Sequence, residues 1–296
     1  MRWSSAVQPM VRRNVSLAEY TTFRIGGTAR YFIAPTSERE FAAAYREATS
    51  SGWPVHILGG GSNLLVSDDG IDGIVLCTSG LRDVAPEVRG TRICARAGTP
   101  LGRVIQHAAR EGLSGLEGMA GIPGTIGGAV RMNAGARNTS IGEWVDAIWC
   151  ATADGCLVRL SGREVEWGYR CAHINDPIVR VDLSLCAGRP ASIRQRIRRT
   201  VRAKRSAQPT HLPSAGCFFK NPEGDSAGRL IDKEGLKGLS VGKAQVSFQH
   251  ANFVVNTGGA SASDVWQLCH TVRTRVQGRF GIELEPEVCV WPAFGS

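Results

Sequence analysis

The chain has 296 residues, 43% hydrophobic and 21% charged, with a formal charge of +9; that balance belongs to a soluble globular protein, and the length predicts two or three folding units. No stretch approaches the roughly 18 uninterrupted apolar residues of a membrane span, and the opening MRWSSAVQPMVRRNV has no apolar leader core, so a cytoplasmic protein is expected. The nine cysteines are odd in number, scattered and without a C-x-x-C pair, which argues against a disulfide framework and against a zinc cluster, so no metal site is expected.

In chain order, ARYFIAP (29–35) reads as a strand. Ser37 and Glu40 have capping-box spacing and open a helix with Phe41, Ala44, Tyr45 and Ala48 on one face, stopped by Ser-Ser-Gly at 50–52. The strand VHIL (55–58) runs into GGGSN (59–63) and then into apolar LLVSDDGIDGIVLC. A strand RICARAG follows, and a helix from about Pro100 to Arg110 with Leu101, Val104, Ile105 and Ala108 on one face and Gly112 as its stop. A glycine-dense run occupies 115–136, and β-rich stretches from Trp144 to Leu185 predict antiparallel strands.

From Ala191 to Arg205 the sequence predicts a basic helix. Arg194, Arg196, Arg198, Arg199, Arg202, Lys204 and Arg205 lie there with no acid, leaving +2 for the remaining chain. Ile193, Ile197 and Val201 recur at four-residue steps and give the helix one buried stripe, so a solvated face explains the charge. Attraction of phosphorylated small molecules, or of nucleic acid, are the sharper alternatives. The last segment predicts a strand ANFVVN (251–256), a helix from about Ser263 to Arg279 and a terminal strand IELEPEVCVW.

The chemistry is concentrated in glycine. VHILGGGSN lets backbone amides approach an anion because no Cβ intervenes, and a diphosphate fits there. It is neither a Rossmann fingerprint nor a Walker loop, since no helix opens after it and no Gly-Lys-Ser/Thr follows. Alone, it reads equally well as a turn between two strands. AGIPGTIGGAVRMNAGA (120–136) adds five glycines and several alanines, side chains suited to letting main chain lie against a flat, extended ligand. Two such loops predict one long cofactor with a diphosphate and a planar ring, the shape of flavin adenine dinucleotide (FAD). Cys217, Arg170 and Glu287 are candidate catalytic groups, each with a plainer alternative as buried thiol, surface guanidinium or strand-end carboxylate.

LAEYTTFRIGG (17–27), GGGSNLLVSDDG (59–70), AGIPGTIGGAVRMNAGA (120–136), YR (169–170), PSAGCFFKNP (213–222), AGRLIDKEGLKG (227–238), VSFQHANFVVN (246–256) and LEPEV (284–288), in that order, closely resemble the UDP-N-acetylenolpyruvoylglucosamine reductases, flavoenzymes of peptidoglycan precursor synthesis. The resemblance implies an α+β protein: a two-part, non-Rossmann FAD-binding unit of the PCMH type (12–82 and 83–200) plus a C-terminal α+β substrate domain (201–296), whose last strand after Gly281 returns to pack on the first part. It implies non-covalent FAD, NADPH as cosubstrate, and hydride transfer to the enolpyruvyl double bond of UDP-N-acetylglucosamine enolpyruvate with protonation of the neighbouring carbon.

By motif match, Cys217 stands at the proton donor, Arg170 at the guanidinium that polarises the enolpyruvyl carboxylate, and Glu287 at its partner carboxylate. The commoner donor is serine. Cofactor contacts implied on the first loop and its approach are Arg24, Gly59, Gly60, Gly61, Ser62 and Asn63. On the second they are Gly121, Pro123, Gly124, Thr125, Gly127, Gly128, Asn133, Ala134 and Gly135. Substrate contacts implied are Tyr169, Lys220, Asn221, His250 and Arg205. No tyrosine lies between Arg170 and Cys217, so the chain is similar to the subtype without the extra tyrosine-bearing loop. A monomer acting on small molecules, with no nucleic acid or membrane partner, is expected. A second flavin class, oxidases with the same FAD-domain type, stays open, although many of those attach the flavin through a histidine that GGGSN lacks; a basic nucleic-acid-binding protein is the alternative outside flavin chemistry.

Overall fold

The computed structural model describes residues 3–136 and 139–292. Contacts divide the chain into two compact units: one made of residues up to Arg13, Tyr31–Gly60 and Gly73–Lys204, the other of Asn14–Arg30, Gly61–Asp72 and the chain from Arg205 onward. The run GGGSN is therefore shared, with Gly59 and Gly60 in the first unit and Gly61 to Asn63 in the second.

In the first unit, helix α1 (Glu38–Thr49) starts at Ser37, whose hydroxyl accepts from the Glu40 amide at 3.2 Å while the Glu40 carboxylate accepts from the Ser37 amide at 3.1 Å. The predicted capping box thus satisfies two amides that the first helical turn cannot. Phe41, Ala44 and Ala48 are buried in one cluster with Ile74 and Leu76. Those two belong to strand Ile71–Cys77, which pairs in parallel with Val55–Leu58, Val55 opposite Ile74 and Leu58 opposite Cys77.

The rest of this unit is built on a five-stranded antiparallel sheet, in the order Leu157–Ser161, Val145–Ala151, Ile178–Ser184, Arg92–Arg96, Glu87–Arg89. Helix α2 (Leu101–Arg110) sends Leu101, Val104, Ile105 and Ala108 into the core that holds Ile148 and Val181. The glycine-dense run is not side-chain-poor main chain throughout. Its middle folds as a short helix α3 (Ile126–Arg131), capped by Thr125, whose hydroxyl accepts from the Gly128 amide at 3.4 Å. Ile126, Ala129 and Val130 enter the same core, so burial overrides the poor helix propensity of Gly127 and Gly128. Helix α4 (Pro190–Ala207) buries Ile193 and Ile197 and packs Val201 at the core's edge, the predicted stripe.

In the second unit, strands Ser240–Val241, Ala244–Val246 and Val254–Asn256 form an antiparallel sheet. Phe218, Phe219 and Leu230, from the short helix α5 (Ala227–Lys233) and the segment before it, share a core with Val265, Leu268, Val272 and Val276 of α6 (Ala262–Phe280). The expected terminal strand is regular only over Cys289–Trp291, which pairs in parallel with Leu64–Val66. Before it, Pro286 has no amide to donate and forms a single bridge with Phe219. Among the described residues no helix is long and apolar enough to cross a membrane.

The start of α6 is closed twice. Ser261 and Asp264 form a capping box, and Asp68 accepts from the Ala262 amide at 2.8 Å and the Ser263 amide at 3.1 Å. A carboxylate there meets both the free amides and the positive end of the helix dipole. Asp68→Ala is expected to lower stability by about 1–2 kcal/mol, read as a lower urea midpoint, with Asp68→Asn losing less.

Candidate active site

The two halves of the glycine run owe their chain path to different neighbours. In the first unit, an added Cβ at Gly60 would lie 2.8 Å from Gly124 Cα, and one at Gly59 would lie 3.1 Å from the Thr125 hydroxyl oxygen. Main chain therefore lies directly on main chain, with Gly124 in the left-handed region at φ +112°. In the second unit, Gly61 has φ +59° and an added Cβ would come within 1.9 Å of the Tyr20 carbonyl oxygen, a contact no side chain survives. Its own carbonyl accepts from the Thr22 amide at 3.0 Å. Arg24, in the same segment, is exposed with φ +56°.

The first unit also assembles the surroundings of Arg170. Asn133 is buried at φ +40°; its amide donates to the Gly168 carbonyl at 2.9 Å and its oxygen accepts from the Gly142 amide at 3.1 Å. That side chain ties the second glycine loop to the turn bearing Tyr169 and Arg170. Arg170 itself sits at φ +56° and donates from Nη1 to the Gly135 carbonyl at 3.0 Å. Its guanidinium lies 5.2 Å from the ring centre of the exposed Tyr169. Lys204 lies in the last turns of α4. Its aliphatic chain reaches within 3.3 Å of where a Cβ on Gly121 would be, and its Nζ is buried with no hydrogen-bond partner. Burial first, and the Arg170 charge second, push its pKa down to about 8.

The second unit places Cys217 and Glu287 on adjoining segments. Cys217 bridges Phe253, the Phe218 carbonyl accepts from the Glu287 amide at 2.7 Å, and the Lys220 amide donates to the Glu285 carbonyl at 2.8 Å. Asn252 locks the middle: its carbonyl accepts from the Phe218 amide at 2.8 Å, its side-chain oxygen from the Phe219 amide at 2.9 Å, and its side-chain amide donates to the Phe219 carbonyl at 2.8 Å. Asn63 adds a bond from its side-chain amide to the Glu287 carbonyl at 3.0 Å. Both asparagines thus hold backbone.

The thiol of Cys217 is half-buried and lines a cavity of about 420 Å³ with Asn221, His250, Ser226, Arg229, Asp232, Lys237 and Gln249 among its walls. Asn221 keeps its side-chain oxygen on the Ala227 amide at 3.1 Å. Burial, and then the Lys237 charge, lower the pKa of His250, leaving it neutral at neutral pH. Lys220 pairs with Glu285 at 3.2 Å at the surface. Arg205 has an exposed side chain, and its carbonyl accepts from the Gln249 side-chain amide at 3.0 Å. Sequence reasoning missed Ser226, Arg229 and Lys237 as cavity walls, although AGRLIDKEGLKG was already in view as a motif.

The family model described as the UDP-N-acetylenolpyruvoylglucosamine reductase C-terminal domain matches residues 208–291, and the FAD binding domain model matches residues 29–161. The UDP-N-acetylenolpyruvoylglucosamine reductase of Moorella thermoacetica is 43% identical over 95% of this chain and 93% of its own length. The chain belongs to the UDP-N-acetylenolpyruvoylglucosamine reductase family. A Synechococcus sp. (strain JA-3-3Ab) reductase is 40% identical over 96% of this chain and 92% of its own. The crystal structure of the reductase from Thermus caldophilus superposes with a TM-score of 0.82 at 40% identity, covering 95% of this chain and all of that one. The fold is accordingly the non-Rossmann FAD-binding type with a reductase C-terminal domain, and whole-length membership sets aside the oxidase alternative.

Two outcomes follow for this reductase. Asn252→Ala leaves the Phe219 amide and carbonyl buried without partners, so a loss of about 2–4 kcal/mol is expected in urea unfolding. Lys204 binds its proton more weakly folded than unfolded, so between pH about 8 and its ordinary 10.5 the unfolded chain carries the extra proton and rising pH favours the fold. In protein stripped of bound nucleotide, Lys204→Met is therefore expected to be the more stable form at pH 7, and its advantage over the parent to shrink towards pH 10.

Proposed function

We propose that this reductase converts UDP-N-acetylglucosamine enolpyruvate to UDP-N-acetylmuramate in peptidoglycan precursor synthesis, with NADPH as reductant and non-covalent FAD as resident cofactor. What supports it is 43% identity to a reductase of that name across 95% of the chain. The main chain is bare enough for the cofactor: Gly60 lies so close to Gly124 that an added Cβ would come within 2.8 Å of its Cα, and Gly59, Gly60, Gly124 and Thr125 would hold the diphosphate with backbone amides. The flavin supplies, when bound, the hydride that adds to the methylene carbon of the enolpyruvyl group.

Addition at that carbon throws the electron pair onto the carbon bearing the ether oxygen and into the adjoining carboxylate. Arg170 holds that carboxylate. Its guanidinium meets more negative charge in the transition state than in the ground state, which is the condition for a rate gain. Anchoring by the Gly135 carbonyl and by a left-handed backbone fixes the guanidinium beforehand. Cys217 holds the proton that the carbanionic carbon takes, and the resulting thiolate regains one from water. A protonated thiol delivered within hydrogen-bond reach of that carbon meets the requirement. Glu287 acts as partner carboxylate on the segment hydrogen-bonded to that of Cys217.

Substrate contacts fall to Asn221 and His250 in the cavity, with Lys220, Tyr169 and Arg205 as further contacts. Neutral His250 can both donate to and accept from the sugar or diphosphate. We further take the enzyme to work in the cytoplasm as a monomer without a nucleic-acid partner; the net charge of α4 then serves to attract phosphorylated substrates.

The half-reactions separate these roles. Cys217→Ser is expected to keep substantial turnover. Cys217→Ala is expected to bleach normally with NADPH but to lose reoxidation by substrate; an alanine variant as active as the parent overturns the proton-donor role. Arg170→Met is expected to slow the substrate half-reaction by about 100- to 1,000-fold while leaving reduction by NADPH intact, measured by anaerobic stopped flow.

A further inference from the structure

Among the described residues every phenylalanine but one is buried or half-buried; Phe248, 70% exposed, is the exception. One exposed apolar side chain is ordinary in itself, but this one is held firmly and beside a cavity. Ser247 before it is buried, its amide donates to the Phe253 carbonyl at 2.8 Å, and its hydroxyl accepts from the Gln249 amide at 3.1 Å. The Gln249 side-chain amide donates to the carbonyls of Arg205 and Ser206, each at 3.0 Å. The ring leans on Gly238, at φ +82°, where an added Cβ would come within 2.5 Å of its Cε1 and Cζ. An aromatic ring that gains little burial is thus fixed by the backbone around it. Its place is the rim of the cavity: Gln249, next in the chain, and Lys237, next to Gly238, both line that cavity, as does Cys217. Lys237 pairs with Asp232 at 2.8 Å and its charge acts on His250, so the wall beside the ring is polar. All of these residues belong to the second unit.

We infer that Phe248 is a specificity residue of this reaction, its ring stacking on the uracil base of the nucleotide sugar. The inference rests on the function proposed above and extends it to the end of the substrate remote from the reacting double bond. A nucleotide sugar that brings its enolpyruvyl group to Cys217 in this cavity carries its base beyond the diphosphate, and uracil is the one ring in it with a π-face. The polar walls suit the sugar and the diphosphate; an aromatic face at the rim supplies what they lack for the base. NADPH carries planar rings too, but the proposed proton donor on the same walls serves the nucleotide sugar alone. Gly238 is bare because the phenylalanine ring occupies the space of its Cβ.

Phe248→Leu keeps apolar bulk and removes the π-face; Phe248→Tyr keeps both. Because residue 248 is exposed, both variants are expected to melt with the parent. Purified holoenzymes are titrated by calorimetry with UDP and with dihydrouridine diphosphate, whose saturated base is puckered, and the KM for NADPH is measured beside them. The parent is expected to bind UDP about 10-fold more tightly than the dihydro compound, and the tyrosine variant to keep that preference. The leucine variant is expected to bind UDP about 10-fold more weakly than the parent, so that the preference vanishes, with the dihydro compound and the KM for NADPH changed by less than about twofold. A leucine variant that binds UDP as the parent does overturns the site, as does a parent indifferent between the two nucleotides. A loss that falls equally on both nucleotides, or that the tyrosine variant shares, places Phe248 in the framework of its turn and also overturns it. A raised KM for NADPH with UDP binding intact overturns the uracil assignment. A parent holoenzyme that binds no UDP counts against the proposed function, and this site falls with it.

Discussion

Main chain packed on main chain is the contact on which the rest of this molecule depends. Gly60 lies so close to Gly124, and Gly61 so close to the Tyr20 carbonyl, that a Cβ at the first would sit 2.8 Å from a backbone carbon and at the second 1.9 Å from a backbone oxygen. Backbone that carries no side chains can meet a diphosphate and a planar ring directly. The same glycines free the loops to be held by asparagine: Asn133 ties the second glycine loop to the turn of Arg170, and Asn63 ties the first to the Glu287 segment.

Positioning of Cys217, the proposed acid, follows from a second backbone device. Asn252 makes three hydrogen bonds to Phe218 and Phe219, the residues that follow Cys217, and both rings are buried. With two backbone groups satisfied by one side chain, the Cys217 segment has little freedom to shift. A proton donor has to be delivered within hydrogen-bond reach of one carbon, so rigidity here acts on rate. The polar walls beyond the thiol, among them Ser226, Arg229 and Lys237, then supply groups suited to a phosphorylated sugar.

Local periodicity was legible wherever one element decided its own burial. The Ser37–Glu40 capping box, the face of α2 and the apolar stripe of α4 all stand as their spacing predicts. Elements decided by distant partners were not legible. Helix α3 forms from Gly-Gly-Ala because Thr125 caps it and a core absorbs Ile126 and Val130; the terminal strand is cut short by Pro286. Asn63 and Asn133 read as ligand contacts but hold carbonyls 224 and 35 residues away, a use of amide groups that no local pattern betrays. On α4, counting by fours from Ile193 and Ile197 leads to Arg205, whereas 3.6 residues per turn leads to Lys204. The structure buries the head group of Lys204 and exposes Arg205.

The central claim is that side-chain-free backbone in this chain holds a flavin that passes reducing equivalents to an enolpyruvyl double bond. Anaerobic titration of the purified protein tests it most directly: one equivalent of NADPH should abolish the long-wavelength flavin absorbance, and one equivalent of UDP-N-acetylglucosamine enolpyruvate should restore it with formation of UDP-N-acetylmuramate. Protein that binds no flavin, or a reduced form that this substrate leaves bleached, would contradict the account.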